Sequence, residues 1–265
     1  MATRGQAQVR GLTISYVRAG TGSPVVCLHG IGGHAGQWRQ QLAGLADAYT
    51  VVAWDAPGYG QSDDPPPGWS MADWADHLAG LFDALGLDRA HVIGQSWGGV
   101  LAQVFYGRHA ARVRSLVLAD TFLGGSAANP DSQATLKSRL EAIDTLTPAE
   151  YARTRTPALL GTGGTPKLLA ELEAMLAAIH PPGYRAAAIA LAGADTRDVL
   201  ERIAVPTLVT CGALDRIVPG AQGARLIDRI PNARRVDFPG AGHLPNMEQP
   251  ERFNAAVRDF LERVP

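Results

Sequence analysis

The pentapeptide Gly94-Gln95-Ser96-Trp97-Gly98 constrains this chain more than any other stretch. A short apolar run, Ala90-His91-Val92-Ile93, leads into it, and an amphipathic run from Val100 to His109 leads out. Ser96 therefore sits where a strand turns sharply into a helix. In such a turn, side chains at positions 94 and 98 would collide with neighbouring backbone, and the central residue is forced into a strained conformation. The strain lifts the hydroxyl clear of the sheet and sets it at a helix N-terminus, where positive partial charge is available. A serine that merely caps a helix after an ordinary strand would leave the same five letters, so the rest of the chain decides between the two readings.

In chain order, residues 6–18 alternate around Arg10-Gly11 and predict an opening hairpin with Val9, Leu12, Ile14 and Tyr16 as its apolar positions. Pro24-Val25-Val26-Cys27-Leu28 is a continuous apolar run, the kind buried on both faces of a parallel sheet, and it ends in His29-Gly30-Ile31-Gly32-Gly33. A helix is expected from His34 to Asp47 and a second buried strand at Thr50 to Trp54. A loop dense in turn residues follows, from Asp55 to Asp63 and on through Pro65-Pro66-Pro67-Gly68. Ser70 and Asp73 resemble a capping box. Met71, Trp74, Leu78, Leu81, Phe82 and Leu85 then mark one helical face that Gly86 ends. After the Ser96 strand and helix, residues 113–119 read as another strand. This alternation predicts a mostly parallel sheet with right-handed crossovers.

The rhythm changes between residues 123 and 204. Helical patches at 132–145, 148–159, 166–179 and 184–192 are broken by Gly161-Thr162-Gly163-Gly164 and by Pro181-Pro182-Gly183. The strand rhythm resumes at once at Pro206 to Cys211. The expected organisation is therefore one α/β core, residues 1–122 and 205–265, carrying an all-helical cap over the strand ends, residues 123–204. The closing elements are a helix to Arg229, a short strand at 235–238, Gly240-Ala241-Gly242-His243, and a helix from Pro250 to Leu261.

Composition narrows the partners. A formal net charge of −1 suggests no nucleic acid or acidic surface. The two cysteines, Cys27 and Cys211, fall inside strands and read as buried free thiols. Met1 to Gly5 form no apolar signal core and no run reaches transmembrane length, so the expectation is a cytoplasmic protein without a membrane partner, monomeric or homodimeric. His and carboxylate residues do not cluster at metal-ligand spacing.

In an open α/β sheet, functional groups collect just past the carboxyl ends of strands. His29-Gly30-Ile31, Ser96, Asp215 and His243 all fall there. A serine hydroxyl needs a base to become a nucleophile, an imidazole can take and return the proton, and a carboxylate fixes the imidazole's tautomer. The order Ser96, Asp215, His243 is similar to that of the α/β-hydrolase fold superfamily. The resemblance spans nearly the whole chain: His29-Gly30, the Asp55–Asp63 loop, the pentapeptide, Gly-x-x-Asp-x-x-x-Pro at 212–219, and Gly242-His243. It implies a mostly parallel eight-stranded sheet with helices on both faces. It further implies a catalytic Ser96, Asp215 and His243, and an oxyanion hole made by the backbone N–H groups of Ile31 and Trp97. Gly30 and the Trp97 side chain would meet substrate, and no cofactor or metal is required.

Each residue also has a plainer use. His29 shapes the oxyanion loop, Asp55 organises a turn, and Asp215 caps the helix after Pro219. Asp120 is a competing carboxylate, since some relatives of the family place the triad acid there. His34 stands close enough to touch substrate, while His91, His109 and His180 lie away from the strand ends. Trp38 and Trp97 are candidate pocket walls, as are Leu123, Leu140, Leu159, Leu160, Met175, Leu176 and Ile179. Relatives that displace halide or open epoxides carry Asp at the elbow, so Ser96 points to acyl chemistry. Residues 180–187 and 194–198 resemble the corresponding stretch of 3-oxoadipate enol-lactonases and small esterases, with Trp97 where Met is common. The expected reaction is cleavage of a small carboxylic ester or lactone through an acyl-enzyme. The alternative is C–C hydrolysis of a β-diketone or meta-cleavage product. Perhydrolysis and a catalytically weak binding protein are minor readings.

Overall fold

The computed structural model describes residues 1–125 and 130–264; the side chain of Pro130 is outside the description. Strands β1 (Thr3–Val9) and β2 (Leu12–Ala19) form the hairpin, which starts earlier than the alternation suggested. Arg10 and Gly11 turn it with φ of 49° and 86°, the paired positive values that a two-residue hairpin requires. Strand β3 (Ser23–Leu28) follows, then a 3-10 turn at Ala35–Trp38 and helix α1 (Arg39–Gly44). This helix is shorter than the span 34–47. Its start is taken by the turn, whose Ala35 N–H is held by Asp55 Oδ1 at 2.7 Å. Its end abuts the Asn254 side chain, which a Cβ on Gly44 would strike.

Next come β4 (Tyr49–Trp54), α2 (Met71–Ala84), β5 (Ala90–Gln95), α3 (Trp97–His109) and β6 (Val113–Ala119). Helices α4 (Pro130–Thr145), α5 (Pro148–Leu159), α6 (Pro166–Ala177), α7 (Pro181–Gly193) and the short α8 (Arg197–Leu200) occupy the stretch before β7 (Thr207–Gly212). The helical patches on either side of Pro181-Pro182-Gly183 are separate helices, but the second begins at Pro181 and not at residue 184. Pro181 and Pro182 open α7, where a proline's missing N–H would have been unpaired anyway. Helix α9 (Gly220–Arg229), β8 (Ala233–Phe238), the single turn α10 (Pro245–Glu248) and α11 (Pro250–Leu261) complete the fold.

The eight strands form one sheet in the order β1-β2-β4-β3-β5-β6-β7-β8. Only β2 runs antiparallel to its neighbours; β4 to β8 and β3 are mutually parallel. Strand side chains alternate between the two faces, so the continuous apolar runs feed two cores. Val26, Val52, Val92, Leu116 and Val209 pack on α2, α3 and α9. Val25, Val51, Ile93, Val117 and Leu208 pack on α1 and α11. Trp38 belongs to the second core, fully buried against Phe253 with ring centroids 6.4 Å apart, and is not a pocket wall. Truncating a buried aromatic of this kind to alanine costs about 3–5 kcal/mol. Cys27 and Cys211 are free and buried, as expected. Among the described residues no helix is long and apolar enough to cross a membrane.

Candidate active site

Ser96 leaves β5 with φ 53° and ψ −115°, and α3 begins at the next residue, three positions earlier than the amphipathic pattern alone placed it. The strained backbone is held from both sides. Ser96 N–H donates to Ala119 O at 2.9 Å, and the Thr121 hydroxyl donates to Ser96 O at 2.6 Å. Gly94 and Gly98 are required by contact: a Cβ on the first would strike the Gly98 carbonyl, and on the second the Leu28 carbonyl. The serine is 6% exposed.

The segment after β7 carries Asp215, and the loop after β8 carries His243. His243 Nδ1 and Asp215 Oδ2 are 2.7 Å apart. A carboxylate can only accept, so Nδ1 carries a proton, and in the neutral ring the lone pair is on Nε2. Asp215 Oδ1 accepts from Ile217 N–H at 2.7 Å and Val218 N–H at 2.9 Å, which fixes the carboxylate and also caps the following turn. The competing carboxylate, Asp120, is bound elsewhere. It sits at the end of β6 with φ 47°, and its Oδ1 accepts from Gly212 N–H at 2.7 Å. Burial pushes its carboxyl well above the usual carboxylate range.

Ser96, His243, Gly30 and Ile31 line one small cavity of about 50 Å³. A Cβ on Gly30 would stand 3.5 Å from Ser96 Cβ, so the Gly30-Ile31 loop lies against the serine. Trp97 N–H stands at the first position of α3, and neither it nor Ile31 N–H has an acceptor among the described residues. Ser96 Oγ makes no hydrogen bond to the imidazole among the described residues; the two groups share the cavity instead. Such links commonly close only when substrate is bound.

The Trp97 side chain departs from expectation. Its ring is fully buried, 5.7 Å from Trp74 at 88° and 6.1 Å from His29, in the core beneath the site. It lines neither the small cavity nor the larger cleft beside it. The ring is taken up by this aromatic cluster, which leaves only the backbone N–H of residue 97 beside the serine. Leu159, Met175 and Leu176 do line the Ser96 cavity and Leu123 lines the cleft, while Leu160 and Ile179 pack within clusters of their own.

His29 braces the loop that follows β3. Ala56 N–H donates to Nε2 at 3.1 Å, so Nδ1–H donates to Gly30 O at 2.8 Å. Burial holds this ring neutral, lowering its pKa to about 4. Asp55 organises its turn through Ala35 N–H, Gln61 N–H and Arg4. His34 accepts from Gly36 N–H at 3.0 Å and faces neither cavity. His109 pairs with Asp76 and His180 stands 3.6 Å from Asp64.

His91 bonds Ser115 Oγ at 2.8 Å, and burial lowers its pKa to about 4, with Arg114 and Arg89 adding to the effect. This ring gives a pH prediction. Unfolded, it titrates near 6.5; folded, it stays neutral to about 4. Stability is therefore complete above pH 6.5 and falls as the pH drops toward 4, by about 2 kcal/mol at pH 5. In His91→Gln, the loss of stability between pH 7 and pH 5, read from urea midpoints, should shrink by about that amount. An unchanged loss would contradict the assignment.

Sequence reasoning missed a buried amide chain. Gly30 N–H donates to Gln37 Oε1 at 3.1 Å, Gln37 Nε2 to Gln95 Oε1 at 3.2 Å, and Gln95 Nε2 to His243 O at 2.9 Å. It ties the Gly30 loop, the serine's strand and the histidine loop together. Gln95 stood inside the pentapeptide, and its polar side chain in a buried strand was the signal. Glu248 was missed too. It accepts from Gly161 N–H and Gly242 N–H, both at 2.7 Å, and so fastens the helical segment to the histidine loop. Among the described residues no cluster of three His, Cys, Asp or Glu could hold a metal.

This geometry has relatives. A family model described as alpha/beta hydrolase fold matches residues 23–250. The 3-oxoadipate enol-lactonase 2 of Acinetobacter baylyi is 31% identical over 237 residues, 88% of this chain and 86% of that protein. A Caulobacter vibrioides chain provisionally named a carbamate hydrolase, RutD, is 32% identical over 248 residues, 91% of each chain. The solved structure of a thermophilic esterase from Thermogutta terrifontis, with malate bound, superposes with a TM-score of 0.91 at 31% identity, covering 99% of both chains.

Proposed function

The chain belongs to the alpha/beta hydrolase fold family and is a hydrolase, and from that premise we propose that it cleaves a small carboxylic ester or lactone through an acyl-enzyme on Ser96. The proposal divides the chain into a core, residues 1–122 and 205–265, and a helical cap, residues 123–204, that closes over the serine.

Nε2 of His243 takes the Ser96 proton as Oγ attacks the carbonyl carbon. Asp215 holds Nδ1–H and stabilises the imidazolium that forms. The Ile31 and Trp97 amides receive the oxyanion, where one such donor is worth about 10²–10³ in rate. The imidazolium returns the proton to the departing oxygen; in a lactone that oxygen stays on the same molecule. His243 then activates water, and the acid leaves.

The observation that carries this reading is the His243–Asp215 pair at 2.7 Å opening on the cavity that holds a serine strained to φ 53°. The relatives' names support ester, lactone and carbamate carbonyls as the reacting group. The test compares p-nitrophenyl esters and simple lactones with a vinylogous β-diketone. Acyl hydrolysis should exceed diketone cleavage in kcat/KM by at least about 100-fold, the scale of losing a well-matched electrostatic contact in the transition state. The reverse order would assign the same residues to C–C hydrolysis.

A further inference from the structure

Two guanidinium-bearing residues of the cap line the cavity that holds Ser96: Arg139 on α4 and Arg155 on α5. Arg139 also lines the larger cleft, about 710 Å³, which it shares with Ser96 and Ile217. Among the described residues neither arginine has a carboxylate within ion-pair distance. Arg139 Nε is buried and has no acceptor among the described residues. The acidic groups nearby are committed elsewhere or stand further out. Asp215 is held by His243 and two amides, Glu248 by two amides, and Asp195 of the outer cleft pairs with Arg197 at 2.5 Å. Asp131 also lines the outer cleft and not the Ser96 cavity.

Both cations act on one further group of that cavity. The hydroxyls of Tyr151 and Tyr184 meet at 2.5 Å, and the charges of Arg155 and Arg139 oppose the rise in the Tyr151 pKa that burial causes. A partly desolvated guanidinium without an anion is unfavourable, and its planar fork matches a carboxylate in a bidentate fashion. On the acyl-transfer reading above, we propose that Arg139 and Arg155 form a carboxylate subsite beside Ser96. The substrate is then an ester or lactone that carries a second, anionic carboxylate, held by the cap while the carbonyl faces the serine. The tyrosine hydroxyls complete the polar wall.

The test reads a ratio, so any effect of a substitution on the shared acyl chemistry cancels. Two pairs of substrates are compared: p-nitrophenyl hemiglutarate with p-nitrophenyl valerate, for a carboxylate on the acyl side, and 4-carboxyphenyl butyrate with phenyl butyrate, for one on the alcohol side. In the parent chain one pair should favour the anion in kcat/KM by about tenfold or more, and Arg139→Gln and Arg155→Gln should each reduce that preference by about tenfold, as expected for loss of a charge-assisted hydrogen bond. A neutral preference in both pairs, or a ratio that neither substitution moves, would overturn the subsite. Should both variants fail to fold, inhibition of the parent by glutarate and by glutaramide decides: stronger competition by the dianion supports the subsite, and equal inhibition overturns it. If the acyl-transfer reading itself fails and the chain does not hydrolyse esters, none of the four esters turns over, a result distinct from a lost preference.

Discussion

Ser96→Ala should lower kcat for ester hydrolysis by about 10⁴- to 10⁶-fold while the fold stands. The loss is chemical because the hydroxyl supports nothing else. The backbone at residue 96 is fixed by Ala119 O and by the Thr121 hydroxyl, neither of which involves Ser96 Oγ. An alanine tolerates φ 53° no worse than a serine, so the unfolding midpoint should move little. The residual rate would come from the oxyanion amides and from binding alone. Retention of a tenth of the activity in a folded Ser96→Ala variant would remove the serine from the reaction.

The second large effect is expected at Asp215. Asp215→Asn keeps the shape but replaces one acceptor oxygen by a donor beside His243 Nδ1. The imidazole then carries its proton on Nε2 and faces the serine with an N–H instead of a lone pair. A fall in kcat of about 10⁴ follows. Asp120 supplies the control. Its Oδ1 is engaged with Gly212 N–H, and among the described residues His243 hydrogen-bonds to Asp215 and not to it. Asp120→Asn should therefore cost at most about tenfold, a second-order effect of repacking at a buried site. If the two variants lose activity equally, the imidazole's partner is not settled by the 2.7 Å pair.

Much of the sheet was legible because two-sided burial writes continuous apolar runs into the sequence. Val25 to Leu28, Val51 to Trp54 and Leu208 to Cys211 are such runs, and their alternate residues separate cleanly onto the two cores. The elbow was legible for a different reason: its glycines answer to backbone collisions, which admit no substitute. The Trp97 side chain was misjudged because pattern locates a residue along the chain but not the direction in which its ring points. Only the third dimension brings Trp74, Tyr59 and His29 around it.

The helical segment was readable as helices but not as a surface. Pro181-Pro182 marks the boundary between two helices but belongs to the second, which it opens. Arg139 and Arg155 lie on exposed-looking amphipathic turns, and nothing in their spacing says that they reach the serine's cavity. The amide chain from Gly30 to His243 joins residues 213 positions apart in sequence, a separation no local pattern records.

The central claim is that one particular oxygen becomes covalently bonded to the substrate's acyl carbon. Fluorophosphonate labelling of the folded chain, followed by tryptic mass spectrometry, tests it most directly. One adduct per chain is expected, carried on Ser96 within the peptide Ala90–Arg108 and absent from Ser96→Ala. An adduct on any other residue, or no adduct from a chain that still hydrolyses esters, would contradict it.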